Sequence, residues 1–284
     1  MQNHNDTFCL VPWVGVEIKH NNLCSLCCMH KENIKLDNGE VADLSKHSID
    51  TILDSSFVKT IKNDFEQGLK PEICNACWHQ ESNSFISKRQ VYFNSLKSKS
   101  TDTNNILYLD VKMGKARYKK SVLSGVDISS TTLPKNDQYW ENIFKIIPTV
   151  QELEFTGECF ELPEHSKLID FIIESGHAPD MLLHYKTNGS KVITHLKDKW
   201  KLFKSIRLTL SLYDIEECFL SDWYECTWTD LTKNLNSTFE LIQDLPNLNL
   251  GLVSTIDNDN RHRKEVIYNW AKQYPFSSII FNEK

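Results

Sequence analysis

The sequence predicts an α/β protein with a parallel sheet, preceded by a small cysteine-rich α+β module. Two observations support this division. From residue 106 onward, short apolar runs with strand character alternate with segments of helical periodicity. Before that point the chain holds six of its nine cysteines, and a polar run rich in Ser, Thr, Asn and Lys follows them. We therefore expect a cysteine-rich module over 1–95, a linker over 96–105 and an α/β domain over 106–284.

The α/β domain is predicted from the order of its elements. Six segments have strand character: 106–111, 150–155, 181–185, 205–211, 248–254 and 278–281. Helical periodicity covers 139–147, 165–175, 229–244 and 261–274, and more weakly 192–200. Strands that alternate with helices imply parallel pairing through right-handed crossovers. Ligands of such sheets bind beyond the carboxyl ends of the strands, so the residues that follow each strand are site candidates.

The pattern of the cysteine-rich module predicts a short hairpin followed by two helices. Strands over 14–19 and 23–27 flank a polar turn. Apolar residues at helical spacing predict a helix over 56–67, which Gly68 ends. A second helix is expected to run from residue 75 towards residue 93.

Composition excludes several classes of function. The net charge of −6 argues against non-specific binding to nucleic acid, which needs a basic surface. No apolar run is long enough to cross a bilayer, so we expect no membrane association. The first residues lack the basic start and apolar core of a signal peptide, which predicts a cytoplasmic location. In that reducing compartment, nine cysteines are expected to include metal ligands rather than a disulfide framework.

The cysteines form a pattern that suits a metal centre. Cys74 and Cys77 form a Cys-x-x-Cys pair where a helix is predicted to begin, and one helical turn brings both sulfurs to the same side. The candidate metal ligands are Cys9, Cys27, Cys28, Cys74 and Cys77. We expect only one of Cys27 and Cys28 to bind, and Cys24 to be a small buried residue. Such a thiolate set suits either a zinc ion or an iron–sulfur cluster, and thiolate chemistry alone does not separate the two.

Other residues of ligand type are expected to be structural. Four histidines lie near the cysteines in the sequence and could bind a metal, but we expect them to be exposed loop residues: His4, His20, His30 and His79. Cys218 and Cys226 are expected to be buried apolar residues, with metal binding as the alternative.

The order of the N-terminal motifs resembles a known metal module. Phe8-Cys-Leu-Val-Pro-Trp13 is followed by Cys27-Cys28, and then by Pro71-Glu-Ile-Cys-Asn-Ala-Cys77 with Glu81. This order is similar to that of the twitch or SPASM-type module that accompanies many radical SAM enzymes. The resemblance implies one auxiliary [4Fe–4S] cluster, with zinc as the alternative.

The second part of the chain resembles the radical SAM core, which implies a partial (β/α)6 barrel. The runs at 107–111, 152–158 and 185–190 match its first three strands, of which the second normally ends in Gly-Gly-Glu. The resemblance places a degenerate S-adenosylmethionine site at Gly157, Glu158, Thr187 and Asn188. A turn or cap role explains the same residues equally well.

The same resemblance implies that three cysteine ligands of the core have been lost. In working members the first strand leads into Cys-x-x-x-Cys-x-x-Cys, whose three thiolates hold the cluster that cleaves S-adenosylmethionine. The corresponding positions here are Arg117, Ser121 and Ser124. Serine is a poor substitute for a soft thiolate, and arginine cannot be deprotonated to bind iron. We therefore expect a pseudoenzyme core that does not cleave S-adenosylmethionine.

Three functional hypotheses follow. The first is a non-catalytic iron–sulfur protein that binds a peptide or protein partner, or assists its assembly. The second is an accessory or electron-transfer subunit of a radical SAM enzyme pair, and the third is a zinc-stapled structural or assembly protein. A partner is expected to dock at the strand-end mouth through Arg117 and Trp223, while in the alternative Arg117 fills the vacated site by pairing with Glu158.

Overall fold

The computed structural model describes residues 6–96, 105–114, 135–220 and 224–283. The protein is a mixed α/β protein with an eight-stranded, mostly parallel sheet, whose strands follow the order β2-β1-β3-β4-β5-β6-β7-β8. The strands are β1 Gly15–Ile18, β2 Cys24–Ser25, β3 Tyr108–Lys112, β4 Glu152–Thr156, β5 Leu182–Thr187, β6 Ser205–Ser211, β7 Leu248–Ile256 and β8 Ser278–Glu283. This confirms the α/β class and the presence of a parallel sheet.

The helices of the described residues lie between these strands. They are α1 Val11–Val14, α2 Ile49–Leu53, α3 Ser56–Glu66, α4 Asn75–Ser82, α5 Lys88–Leu96, α6 Asp137–Ile146, α7 Pro163–Glu174, α8 Lys197–Trp200, α9 Trp228–Asp244 and α10 Lys264–Ala271. None of them is both long and apolar enough to cross a membrane.

The six strands predicted after residue 105 are all present, within about two residues at each end. The prediction of one long helix from 75 towards 93 is wrong, because the chain turns between α4 and α5. Ser84 has a φ of 62°, and the side-chain amide of Asn83 donates to the carbonyl of His79 at 2.8 Å. Asn and Ser side chains compete in this way with the hydrogen bonds of a helix interior.

The described part of the chain forms two compact units. The first lies within 1–112 and 133–151, and the second within 113–132 and 152–284. The domain boundaries expected from the sequence, at 95 and 105, stay a prediction.

In the first unit, β1 lies between β2 and β3. Glu17 of β1 is opposite Ser25 of the antiparallel β2 and opposite Asp110 of the parallel β3. The Glu17 side chain is fully buried; it accepts a hydrogen bond from the Ser25 hydroxyl at 2.9 Å and pairs with Lys112. A buried carboxylate requires such partners, since burial of an unpaired charge costs several kcal/mol.

A single asparagine fastens α6 to the loop that precedes α2. The side-chain amide of Asn142 donates to the carbonyls of Leu44 and His47, at 2.8 Å each. Its Oδ1 accepts from the backbone N–H of Ile49 at 2.9 Å. Asn142 is only 3% exposed, so these bonds satisfy a polar side chain that burial would otherwise penalise.

The second unit pairs β4 to β8 in parallel. Strand β6 alternates, with Ile206, Leu208 and Leu210 buried and Arg207 exposed. A buried apolar cluster includes Leu210 together with leucines of α9. Alternation of this kind buries one face of a strand against its helices.

Candidate metal centre

Four cysteines from three separate segments line one pocket in the first unit: Cys9, Cys27, Cys74 and Cys77. Three of them are almost fully buried, with exposures of 8% for Cys9, 7% for Cys74 and 6% for Cys77. Cys27 is half-buried. Apolar and aromatic side chains, among them Phe65 and Tyr92, line the rest of the pocket together with His30, Lys88 and Arg89.

Local structure places each thiol. Cys9 lies two residues before α1, and Cys27 follows β2. Cys74 ends a 3₁₀ turn that opens α4, and Cys77 lies in the first turn of that helix. The Cys-x-x-Cys spacing thus brings two sulfurs to one side of a helix start, towards the other two segments.

An arginine clamp holds these segments together. Arg89, on α5, donates from Nε and a terminal nitrogen to the two carboxylate oxygens of Glu81 on α4, at 2.9 and 2.6 Å. Its other terminal nitrogen donates to the carbonyl of Phe8 at 2.7 Å. The guanidinium also lies 4.9 Å from the centre of the Trp78 ring. Since Phe8 precedes Cys9, the clamp fixes the Cys9 segment against the helix that carries Cys77.

Polar groups of the protein act on each of the four sulfurs. Burial raises the pKa of Cys9, Cys27 and Cys77, and the backbone N–H groups of Val11, Met29 and Arg89, respectively, act in the opposite direction. The Ser87 side chain also lowers the pKa of Cys77. Cys74 instead has the side chain of His30, whose Nε2 lies 3.3 Å from its sulfur. Donors of this kind stabilise thiolates rather than thiols.

The electrostatics explain what the pocket can bind. Burial is the largest cause that raises the pKa of Cys9, Cys27, Cys74 and Cys77, and charge repulsion from neighbouring sulfurs or carboxylates raises it further. Without a bound cation the thiols are therefore neutral. A metal reverses this balance, because a coordinating thiol is deprotonated outright.

Two other N-terminal cysteines lie outside the lining of this pocket. Cys28 is half-buried. Cys24 is fully buried; its sulfur lies 3.9 Å from the carbonyl oxygen of Asn22, and burial raises its pKa to about 12. Both cysteines expected to be buried in the second unit, Cys218 and Cys226, are half-buried.

The expectation that these histidines are exposed is wrong for two of the four. His20 is 8% exposed and His30 only 6%. The backbone N–H of His30 bonds to the carbonyl of Cys27 at 3.0 Å, which closes a turn over residues 28 and 29, and the ring Nε2 contacts Cys74. His79 is exposed, but it lies on helix α4 rather than in a loop, and His4 lies outside the described residues. The signal for His30 was its position three residues after Cys27; Arg89 carried no comparable signal.

The residues of the expected S-adenosylmethionine site meet in the second unit. The Glu158 carboxylate accepts from the Thr187 hydroxyl at 2.7 Å and from the Asn188 backbone N–H at 2.6 Å. Gly157 has a φ of 107°, which favours glycine. Burial is the largest cause that raises the pKa of Glu158. Neighbouring groups of the chain thus contact both carboxylate oxygens.

Several predicted positions lie outside the described residues. They are Arg117, Ser121, Ser124 and Trp223. The predicted loss of the cluster ligands and the docking site at the strand-end mouth therefore stay predictions.

A second group with metal-ligand chemistry lies in the second unit. Ligand atoms of Glu152, Glu154 and His184 lie within 4.8 Å of one another. His184 Nδ1 is 3.0 Å from a Glu154 oxygen, but Lys186 pairs with Glu154 and Arg207 approaches Glu152 at 3.7 Å. Each carboxylate therefore already has a cationic partner, so ion pairing accounts for this group.

Comparisons with known proteins add little. No protein-family model matches the sequence, and no curated protein matches it. A solved structure of polyhistidine-tagged anSMEcpe with bound AdoMet, an anaerobic sulfatase-maturating radical SAM enzyme, resembles part of the chain with a TM-score of 0.40 and 12% identity. The match covers 56% of this chain and 44% of that one, so this chain spans less than half of that protein's length.

Proposed function

We propose that the pocket of the first unit binds one [4Fe–4S] cluster through Cys9, Cys27, Cys74 and Cys77. The observation that carries the proposal is the convergence of four thiols from three segments on one pocket. Four cysteine thiolates are the usual ligand set of such a cluster. Of the two adjacent candidates, Cys27 lines the pocket, which favours it over Cys28 as the ligand.

The donor set fits this group. Three backbone N–H groups, the Ser87 side chain and one imidazole favour the thiolate forms of the four cysteines, and hydrogen bonds to sulfur stabilise bound thiolates. When bound, the cluster supplies an electron store and a covalent staple between the three segments. The Arg89 clamp holds the Cys9 segment in place.

We propose further that the chain acts as a binding or assembly protein rather than as a self-sufficient radical enzyme. The support is Arg117, Ser121 and Ser124, which stand where the resemblance requires three thiolates. The twitch or SPASM-like character of residues 1–95, the partial barrel over 106–284 and the protein or peptide partner belong to the same proposal.

Two alternative functions would use the same four cysteine thiols. An accessory or electron-transfer subunit of a radical SAM enzyme pair would use the same cluster for redox chemistry. A zinc-stapled structural protein would use the same four sulfurs, since Cys₄ sites also suit zinc. The order of the cysteine motifs, which resembles that of auxiliary-cluster modules, favours iron and sulfide.

Metal analysis of the full chain tests the proposal. We expect protein purified without oxygen to hold about four iron and four sulfide per chain and to show thiolate-to-iron charge-transfer absorption. A content of one zinc per chain with no sulfide would contradict the proposed cluster and support the zinc-stapled structural protein instead. Protein that holds neither, even after reconstitution with iron and sulfide, would defeat both.

A further inference from the structure

His30 differs from the other groups that face the four sulfurs. The groups that favour the thiolates of Cys9, Cys27 and Cys77 are backbone N–H groups, joined at Cys77 by the Ser87 side chain. Cys74 is faced by an imidazole from another segment, with Nε2 at 3.3 Å from sulfur. For Cys74, the described contact is this imidazole rather than a backbone group.

Stability alone does not explain the burial of this ring. His30 is 6% exposed, and its other nitrogen, Nδ1, is buried with no hydrogen-bond partner among the described residues. A buried polar atom left unpaired costs about 1–3 kcal/mol. A leucine or phenylalanine would line an apolar pocket without that cost, so the contact between Nε2 and Cys74 is the feature that calls for an imidazole.

The chemistry of the contact fixes the tautomer. A thiolate bound to a metal carries no proton, so the hydrogen between the two atoms must come from the ring. The ring therefore carries its proton on Nε2 and donates it towards Cys74, an assignment from the hydrogen-bond network.

We propose that His30 is a positioning residue of the metal centre, which donates an Nε2–H···S hydrogen bond to Cys74 and thereby raises the reduction potential of the bound cluster. This inference rests on the proposed cluster. Hydrogen bonds to cluster sulfurs help to set the potential. They stabilise the more negative, reduced state more than the oxidised one, so their removal lowers the potential.

The test compares four forms of the full chain after anaerobic cluster reconstitution: wild type, His30→Phe, His30→Gln and His79→Phe. Phenylalanine keeps a planar ring but cannot donate, whereas the glutamine amide can. His79 is an exposed histidine on α4, and its replacement controls for the loss of a nearby imidazole. Iron and sulfide content and the reduction potential are measured for each form.

We expect all four forms to hold the same iron and sulfide. The potential should be more negative in His30→Phe, close to wild type in His30→Gln and unchanged in His79→Phe. An unchanged potential in fully loaded His30→Phe would overturn the inference. Loss of iron from both His30 variants would also overturn it, since His30 would then be a ligand. A wild type without iron refutes the proposed cluster instead, so the two failures are distinguishable.

Discussion

At the scale of single residues, the candidate centre depends on side chains that the cysteine pattern does not include. The spacing of the cysteines selects four thiols that the structure brings to one pocket. It does not select Arg89 or His30. Arg89 contacts Phe8 across a sequence separation of 81 positions, and His30 contacts Cys74 across a separation of 44 positions. Contacts over such separations leave no local periodicity, so only the folded chain reveals them.

The Arg89 clamp predicts strong coupling with Glu81. Replacing Arg89 by Met leaves Glu81, whose side chain is 19% exposed, without its cationic partner. Loss of one partner of a buried pair costs about 3–5 kcal/mol. We therefore expect Arg89→Met to lower the free energy of unfolding by about 3 kcal/mol, as measured by urea denaturation.

The matched control for the clamp is the double variant Glu81→Met, Arg89→Met. Because it removes both charges, it should cost clearly less than the sum of the two single replacements. If the loss of unfolding free energy in the double variant equals the sum of the losses in the two single variants, the clamp is contradicted.

At the scale of elements, the sequence predicts the positions of strands better than the points at which a helix is interrupted. Strand β6 was predicted with its observed bounds, Ser205–Ser211, because its apolar residues alternate. The break between α4 and α5 was missed, because side-chain bonds at Asn83 and a left-handed Ser84 decide it. Helical periodicity reports which face is apolar, but it does not report where local hydrogen bonds interrupt the helix.

The packing of α7 on β5 predicts a pH dependence of stability. His165 of α7 is fully buried, with Nε2 2.9 Å from the Tyr185 hydroxyl. Burial lowers its pKa from the ordinary 6.5 to about 3. Below pH 6.5, His165 is therefore protonated in the unfolded chain but remains neutral in the native protein. The free energy of unfolding consequently decreases as the pH falls towards 3. This group should make the protein about 2 kcal/mol less stable at about pH 5 than at about pH 7.5.

The measurement is urea unfolding at both pH values for wild type, His165→Gln and His262→Gln. Removing the buried imidazole should reduce the pH-dependent loss of stability by about 2 kcal/mol. His262 is exposed, so its replacement should leave the dependence nearly unchanged. An equal dependence in wild type and His165→Gln would show that another group is responsible.

At the scale of the whole molecule, the fold class followed from the sequence, whereas the functional assignment depends on loops. Alternating strands and helices were enough to predict the parallel sheet. The resemblance to radical SAM proteins rests on motifs at strand ends, and the one for the lost cluster lies outside the described residues. Function on a widespread fold must be argued from such sites rather than from the fold itself.

The whole chain is predicted not to cleave S-adenosylmethionine. Three thiolates are needed to hold a cluster with an open iron position, and the sequence offers Arg117, Ser121 and Ser124 instead. Incubation with dithionite and S-adenosylmethionine should release no more 5′-deoxyadenosine than a protein-free control. Product that increases in proportion to protein concentration would refute the prediction.

The central claim is that the thiols of the first unit hold the iron–sulfur cluster, and iron content after paired cysteine replacement tests it most directly. The variant Cys74→Ser, Cys77→Ser removes two proposed ligands, and Cys218→Ser, Cys226→Ser removes two half-buried cysteines of the second unit. We predict about four iron per chain in wild type and in the second variant, and loss of that iron from the first. Full iron content in Cys74→Ser, Cys77→Ser would contradict the account.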